Sequence, residues 1–402
     1  MTFDIARVRE RYPALAEGFA HFDAAAGSLV AAGSSDAIAA VPRGAVANKT
    51  MAFAPGRRAY GIVEEARAAV ADLVGGASAG VVFGPSATAL TYLVARTLGD
   101  TWRPGDEVVL SRLDHDANVR PWVQVAGRVG ATVRWAEVDT ATGVLATEQY
   151  KELVGERTRL VALTAASNAI GARPDVAGIA AIAHAAGALT YVDGVHATPH
   201  GPTDVRALGA DFYVTSAYKW SGPHIAACIA SPDRWAAMAP DKLIPSPDEV
   251  PDRFEFGTLS FELLAGVTGA VDHLASLAVP LAAAGTRRSR LVDSMAAVQA
   301  YEMELFAALV DGLKGIDGVQ ICPAPADRCP TIAFRLTGQH PSKTADLLGE
   351  EGICVYSGDY YAHEYFTAAG LRDSGGAVRA GIYHYTTREE VDRLLDAVMR
   401  CR

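Results

Sequence analysis

Two polar residues stand where apolar runs end. Asp193 closes Ala188-Leu-Thr-Tyr-Val192, and Lys219 follows Phe212-Tyr-Val-Thr215 within the stretch Asp211 to Pro223. Each run is short and unbroken, which reads as a buried strand. Neighbouring strand ends would then deliver a carboxylate and an amine to one place. Such an amine can hold an aldehyde as a Schiff base. The carboxylate can keep a pyridine nitrogen protonated, so that the ring draws electrons. That is the chemistry pyridoxal phosphate needs. A loop lysine or a capping aspartate alone would carry no such meaning; the pair in its surroundings does.

A phosphate needs its own seat. Phe83-Gly-Pro-Ser-Ala-Thr-Ala89 passes from a strand through small and hydroxyl residues into a helix. Free N–H groups at a helix N-terminus, with the Ser86 and Thr88 hydroxyls, can hold a dianion. The same residue types also cap helices that bind nothing. No G-x-G-x-x-G follows a strand and no Walker loop occurs, so a nucleotide is not the indicated ligand. Leu113 to Trp122 is a polar burst after the strand Glu107 to Leu110. It puts His115 on the rim, either stacking on a planar ring and moving protons near neutral pH or as a plain surface histidine. Asn168, after the strand ending at Thr164, can donate to a phenolic oxygen, or serve only as a turn residue before Gly171.

The elements that must position these residues alternate from about 60 to 275. A helix is predicted over Glu64 to Val74 and another from about Ala87. Strands are predicted at Val81 to Phe83, Glu107 to Leu110, Thr132 to Trp135, Leu160 to Thr164, Leu189 to Val192, Phe212 to Thr215 and Ile225 to Ala230. A helix over Asp175 to Ala186 falls among them. Alternation with unbroken apolar strands predicts an α/β fold whose mostly parallel sheet is covered on both faces. Sites in such sheets lie at the carboxyl ends of the strands. Near 280 the pattern changes to a long helix (Arg287 to Leu313), a strand (Thr331 to Leu336), a helix (Lys343 to Glu350), a strand (Ile353 to Tyr356) and a last helix (Thr387 to Met399). The expected division is a large domain over 17–280 and a smaller α+β domain over 1–16 with 281–402.

With 402 residues, half of them hydrophobic, the chain is long enough for both domains. Its net charge of −10 speaks against a nucleic-acid partner, which requires clustered Lys and Arg. Five cysteines show no metal-ligand spacing, and a sparse, odd set fits a reducing compartment. The N-terminus alternates charges rather than forming a signal peptide. The longest apolar stretch, Leu274 to Gly285, is too short to span a bilayer and contains Pro280. A soluble, cytoplasmic protein with no membrane partner and no metal is expected.

Several ordered motifs carry a resemblance. They are Asp114-His-Asp-Ala-Asn118 with Pro121-Trp122, Ser167-Asn-Ala-Ile-Gly171, Val192-Asp-Gly-Val-His196, Ser216-Ala-Tyr-Lys219, Arg253-Phe-Glu-Phe-Gly-Thr258, and Val378-Arg-Ala-Gly381. With these the chain resembles the class V aminotransferase group of fold-type I pyridoxal-phosphate enzymes, most of all the group II cysteine desulfurases and their relatives. The resemblance implies a seven-stranded-type sheet in the large domain. It also implies that Lys219 is the Schiff-base lysine and carries the Cα proton, that Asp193 pairs with the pyridine nitrogen, and that His115 stacks on the ring. Asn168 and His196 would contact the ring oxygen. Ala87, Thr88 and Ser216 would hold the phosphate, joined by Gly257 and Thr258 from the other subunit of a homodimer. Arg379 would clamp the α-carboxylate of an amino-acid substrate.

The departures narrow the function. His196 stands where desulfurases usually carry Gln, and Tyr218 where they carry His. The loop Val355-Tyr-Ser-Gly-Asp-Tyr-Tyr-Ala362 has Tyr356 at a usual Arg position and Tyr361 at the persulfide cysteine position. Without a thiolate there, sulfur transfer by the usual desulfurase route is not available. The expected reaction is β-elimination of a cysteine S-conjugate or a similar β-substituted amino acid, with Tyr361 shaping the substituent's site or protonating the leaving sulfur. Epimerisation, transamination and decarboxylating deamination remain open on the same fold. A desulfurase ranks lower, and a non-catalytic scaffold last.

Overall fold

The computed structural model describes residues 3–278 and 285–401. Seven strands form the large sheet: β1 (Val81–Gly84), β2 (Glu107–Ser111), β3 (Thr132–Ala136), β4 (Thr158–Thr164), β5 (Leu189–Asp193), β6 (Phe212–Ser216) and β7 (Ala226–Ala230). Their spatial order is β1-β7-β6-β5-β4-β2-β3. All neighbours from β6 to β3 run parallel, while β7 is antiparallel to both β6 and β1.

The unbroken apolar strands are explained by two-sided burial. Successive residues of a strand face opposite sides. Val109, Val161, Leu163 and Tyr213 enter one core, and Val108, Leu110, Leu160, Ala162 and Val214 the other. The first face is covered by α1 (Ala54–Val74), α3 (Phe261–Ala275) and α4 (Arg287–Lys314), through Val63, Val70, Val267 and Met295. The second is covered by α2 (Ala87–Gly99) and the helix Arg120–Val129, through Leu90, Val94 and Trp122.

Helix α1 begins at Ala54, well before the expected Glu64. Pro55 sits in its first turn, where its fixed φ suits a helix start, while Gly56 and Gly61 dilute the helical signal.

A second sheet holds β8 (Val319–Ile321), β9 (Thr331–Leu336), β10 (Tyr356–Gly358) and β11 (Ala377–Gly381), in the order β10-β11-β9-β8. It packs against α4 and α5 (Arg388–Arg400) through Phe306, Leu309, Phe334 and Leu394. Ala20 and Phe22 join that core, whereas Val8 and Tyr12 belong to the larger one. The expected domain boundary at 280/281 lies outside the described residues. The single strand expected over Ile353 to Tyr356 divides. Ile353–Cys354 pairs with Ala20–His21, and Tyr356–Gly358 pairs with β11. This break sends Cys354 and Tyr356 to different neighbours.

Candidate active site

Beyond the carboxyl ends of β4, β5 and β6 lies a cavity of about 270 Å³. Lys219 follows β6 in a tight turn over Ala217–Lys219, and its Nζ donates to the backbone oxygens of Ala25 and Ala26. Burial, reinforced by the nearby Arg379 charge, pushes this amine down to about 7. A substantial neutral fraction at neutral pH makes it a nucleophile.

Asp193 ends β5, and its Oδ1 accepts the Val195 N–H at 2.9 Å. Burial raises its carboxyl to about 6, against the opposing pull of that hydrogen bond and of Lys219. The glycine that follows is dictated by packing. A Cβ on Gly194 would lie 1.9 Å from Cζ of Tyr213.

His115 lines the same cavity. Its Nδ1 accepts the Ala117 N–H at 3.0 Å, so in the neutral ring the proton is on Nε2. Burial, with Lys219 and Arg379 adding to it, drops its pKa to about 4. The imidazole is therefore neutral at pH 7 and suited to stacking and donating rather than to cycling a proton, which narrows its expected role. Beneath it Asp114 is pushed up to about 8 by burial and accepts from Asn118 Nδ2 at 2.7 Å, which anchors the loop.

Ala87 and Thr88 open α2 beside the cavity, with Ser86 as N-cap accepting the Ala89 N–H at 3.1 Å. First-turn N–H groups have no intrahelical acceptor, and here they border the pocket together with Ser216. His196 lines the pocket too, its Nε2 3.0 Å from Thr331 Oγ1; burial holds its pKa well below the usual value.

Asn168 uses its amide nitrogen on the Tyr360 carbonyl at 2.8 Å. Its Oδ1 is buried without a partner among the described residues. Arg379, in β11, donates to Asn168 O at 3.0 Å and Asp23 Oδ1 at 3.4 Å, and its guanidinium lies 4.6 Å above the Tyr360 ring. Its buried Nε is likewise unpartnered. Tyr361 reaches the mouth of the pocket and stacks on His115. Gly257 and Thr258 do not join this pocket. Both are exposed, and Thr258 lines a separate apolar groove with Phe83, Phe254 and Phe256.

Sequence reasoning missed the loop Asp23 to Gly27, whose carbonyls hold the Lys219 amine, and Tyr360, which backs Arg379. The run Phe22-Asp-Ala-Ala-Ala-Gly27 did carry a signal. It is a row of small residues closed by Gly right after a short strand, which permits close backbone approach.

The residues fit pyridoxal phosphate. One wall offers helix N-terminal amides for a dianion, another a buried carboxylate for the pyridinium, and a nucleophilic amine lies on the floor. Two buried polar atoms at this site, Asn168 Oδ1 and Arg379 Nε, have no hydrogen-bond partner among the described residues. A lysine and a carboxylate at adjacent carboxyl ends of a mostly parallel sheet define a fold-type I pyridoxal-phosphate enzyme.

The chain belongs to the class V aminotransferase family, whose model, Aminotransferase class-V, matches residues 20–394. The family uses pyridoxal 5'-phosphate. An uncharacterized protein of Mycobacterium tuberculosis (strain CDC 1551) is 35% identical over 99% of both chains. A probable cysteine desulfurase of Pseudomonas aeruginosa is 32% identical, covering 96% of this chain and 94% of its own. The crystal structure of the cysteine desulfurase CsdA (S-sulfonic acid) of Escherichia coli superposes with a TM-score of 0.87 at 28% identity, covering 100% and 99% of the two chains. No described helix is long and apolar enough to cross a membrane.

Proposed function

We propose that this enzyme is a C–S lyase that performs β-elimination on a cysteine S-conjugate without a persulfide cysteine. The observation that carries the reading is the composition of the pocket wall. Among the described residues, those lining the cavity include Tyr356, Tyr360 and Tyr361 and no cysteine. Cys354 sits in the short strand paired with Ala20–His21, half-buried, with its thiol pushed up by burial. A protonated thiol is a poor sulfur acceptor.

In this reading Ala87, Thr88 and Ser216 hold the phosphate, Asp193 holds the ring nitrogen, His196 and the second amide proton of Asn168 face the ring oxygen, and His115 covers the ring. The bound cofactor supplies an electron sink that acidifies the substrate's Cα–H bond. Arg379 holds the α-carboxylate with the donors not used on Asn168 and Asp23. Lys219 Nζ removes the Cα proton. The Cβ–S bond breaks with its electrons going to sulfur, which leaves as a thiol after taking up a proton. With one water consumed, the remaining carbons end as pyruvate and the nitrogen as ammonium.

The same reading keeps the division into 17–280 and 1–16 with 281–402, and has Gly257 and Thr258 serving the phosphate of a second copy in a homodimer. A monomer in solution that retains its cofactor fully would overturn that last point.

Cysteine desulfurase is the second reading, favoured by the names of the relatives. Replacing all five cysteines by serine decides between them. Stoichiometric thiol and pyruvate from an S-conjugate, at most of the original rate, supports the lyase. Loss of turnover in Cys354→Ser, with a persulfide trapped on Cys354 in the parent protein, replaces it by the desulfurase.

A further inference from the structure

We infer that the mouth of the pocket carries an aromatic subsite, formed by Tyr361 with Tyr356, that selects a planar, π-faced substituent on the substrate's β-carbon. This deepens the reading above and rests on it for the bond that breaks, but not for the binding preference.

Tyr360 and Tyr361 both adopt left-handed backbone, with φ of 49° and 61°. Bulky residues rarely do so, and such strain persists only where the surroundings over-determine it. Here they do. Tyr360 O accepts from Asn168 Nδ2 at 2.8 Å, and Tyr361 O accepts the Asp116 N–H at 2.7 Å. The Tyr360 hydroxyl donates to Ala377 O. The two loops that carry His115 and Asn168 therefore also fix the conformation of the tyrosine pair.

The outcome is a ring held at one angle. Tyr361 lies 5.3 Å from the His115 ring at an interplanar angle of 24°. Stacking covers one face of the phenol, yet the residue stays 71% exposed, which leaves the other face open at the mouth. Tyr356 is 51% exposed and lines the same cavity. In the β10–β11 ladder it stands directly opposite Arg379. Opposed residues project from the same face of a sheet. A substrate held by Arg379 would thus have Tyr356 beside it and Tyr361 across the mouth.

One exposed tyrosine means nothing. Two in one pocket mouth, one of them on left-handed backbone tied to both active-site loops, are a built wall. Phenol faces hold flat rings by offset stacking. A puckered ring of equal size fills the same volume but loses that contact.

The test uses the holoenzyme and carbon analogues that have no sulfur to expel. Binding of 2-amino-4-phenylbutanoate and 2-amino-4-cyclohexylbutanoate is followed through the absorbance change of the bound cofactor. The phenyl compound is expected to bind about 3- to 10-fold more tightly, the range that aromatic pairing contributes. Tyr361→Phe should keep the gap and Tyr361→Leu should close it, each variant first shown to retain its cofactor absorbance. Equal binding of the two analogues by the parent enzyme, or a gap that survives in Tyr361→Leu, overturns the subsite. A phenyl preference alongside no thiol release from S-phenylcysteine upholds the subsite and overturns the elimination reading.

Discussion

Lys219 and Asp193 lie on the floor of the pocket, at the ends of strands buried on both faces. Tyr356 and Tyr361 stand exposed at its mouth, on a loop that contains two left-handed tyrosines, Tyr360 and Tyr361. The floor obtains its properties from burial. Desolvation lowers the lysine and raises the aspartate, so both titrate near neutrality rather than at their solution values. The mouth obtains its properties from shape, and its backbone bears strain of about 1–2 kcal/mol per left-handed residue. Chemistry common to a family can be stored in a core that tolerates little change. Substrate choice is better placed on a loop that can be rewritten without disturbing that core.

The largest effect should come from breaking the floor. Lys219→Ala is expected to lower turnover at least ~10³-fold, because in the proposed mechanism one residue both bonds the cofactor and carries the proton. Borohydride reduction of the parent should attach the cofactor to a peptide containing Lys219; attachment elsewhere would remove this residue from its role.

A smaller effect tests the burial argument. Capture of an aldehyde needs the neutral amine, which forms above the pKa. Pyridoxal-phosphate uptake by the cofactor-free protein should therefore rise with pH, pass its midpoint near the value of about 7 held by Lys219 and level off above it. The neutral fraction grows about tenfold between one unit below and one unit above such a pKa. Rates that keep climbing about tenfold per unit through pH 9 would mean an ordinary, solvated lysine.

The smallest effect belongs to the mouth. Asn tolerates left-handed backbone better than Tyr. Tyr361→Asn should thus raise stability slightly, by about 0.5–1 kcal/mol. Calorimetry of the cofactor-bound protein would show it as a small rise in Tm. A clear fall would mean that the His115 stack outweighs the strain and that the two regions are not separable.

Much of the floor was legible. Apolar runs closed by Asp193 and Lys219 place both residues at strand ends, because a buried strand must be apolar and the polar residue after it marks its exit. The Ser86-Ala-Thr88 helix start was legible for the same kind of reason, since N-terminal amides need partners or a ligand. The loop Asp23 to Gly27 was not singled out. Its contribution is two backbone carbonyls, which carry no side-chain signature. The neutral state of His115 was equally hidden, since nothing in Asp114-His-Asp116 reveals that the ring is buried beside two cations.

Residue types and their periodicity alone determined that this chain makes a two-faced α/β sheet with an amine and a carboxylate at its carboxyl edge. Burial in strands imposes a local pattern, and local patterns are written in sequence. The tertiary structure decided what those groups become. It brought Ala25, Tyr360 and Arg379 to residues far away in the chain, set proton affinities through desolvation, and split Ile353 to Tyr356 between two sheets, so that Cys354 faces the N-terminal segment and Tyr356 the pocket. Each of those outcomes depends on which distant surfaces meet, and no spacing along the chain encodes that by itself.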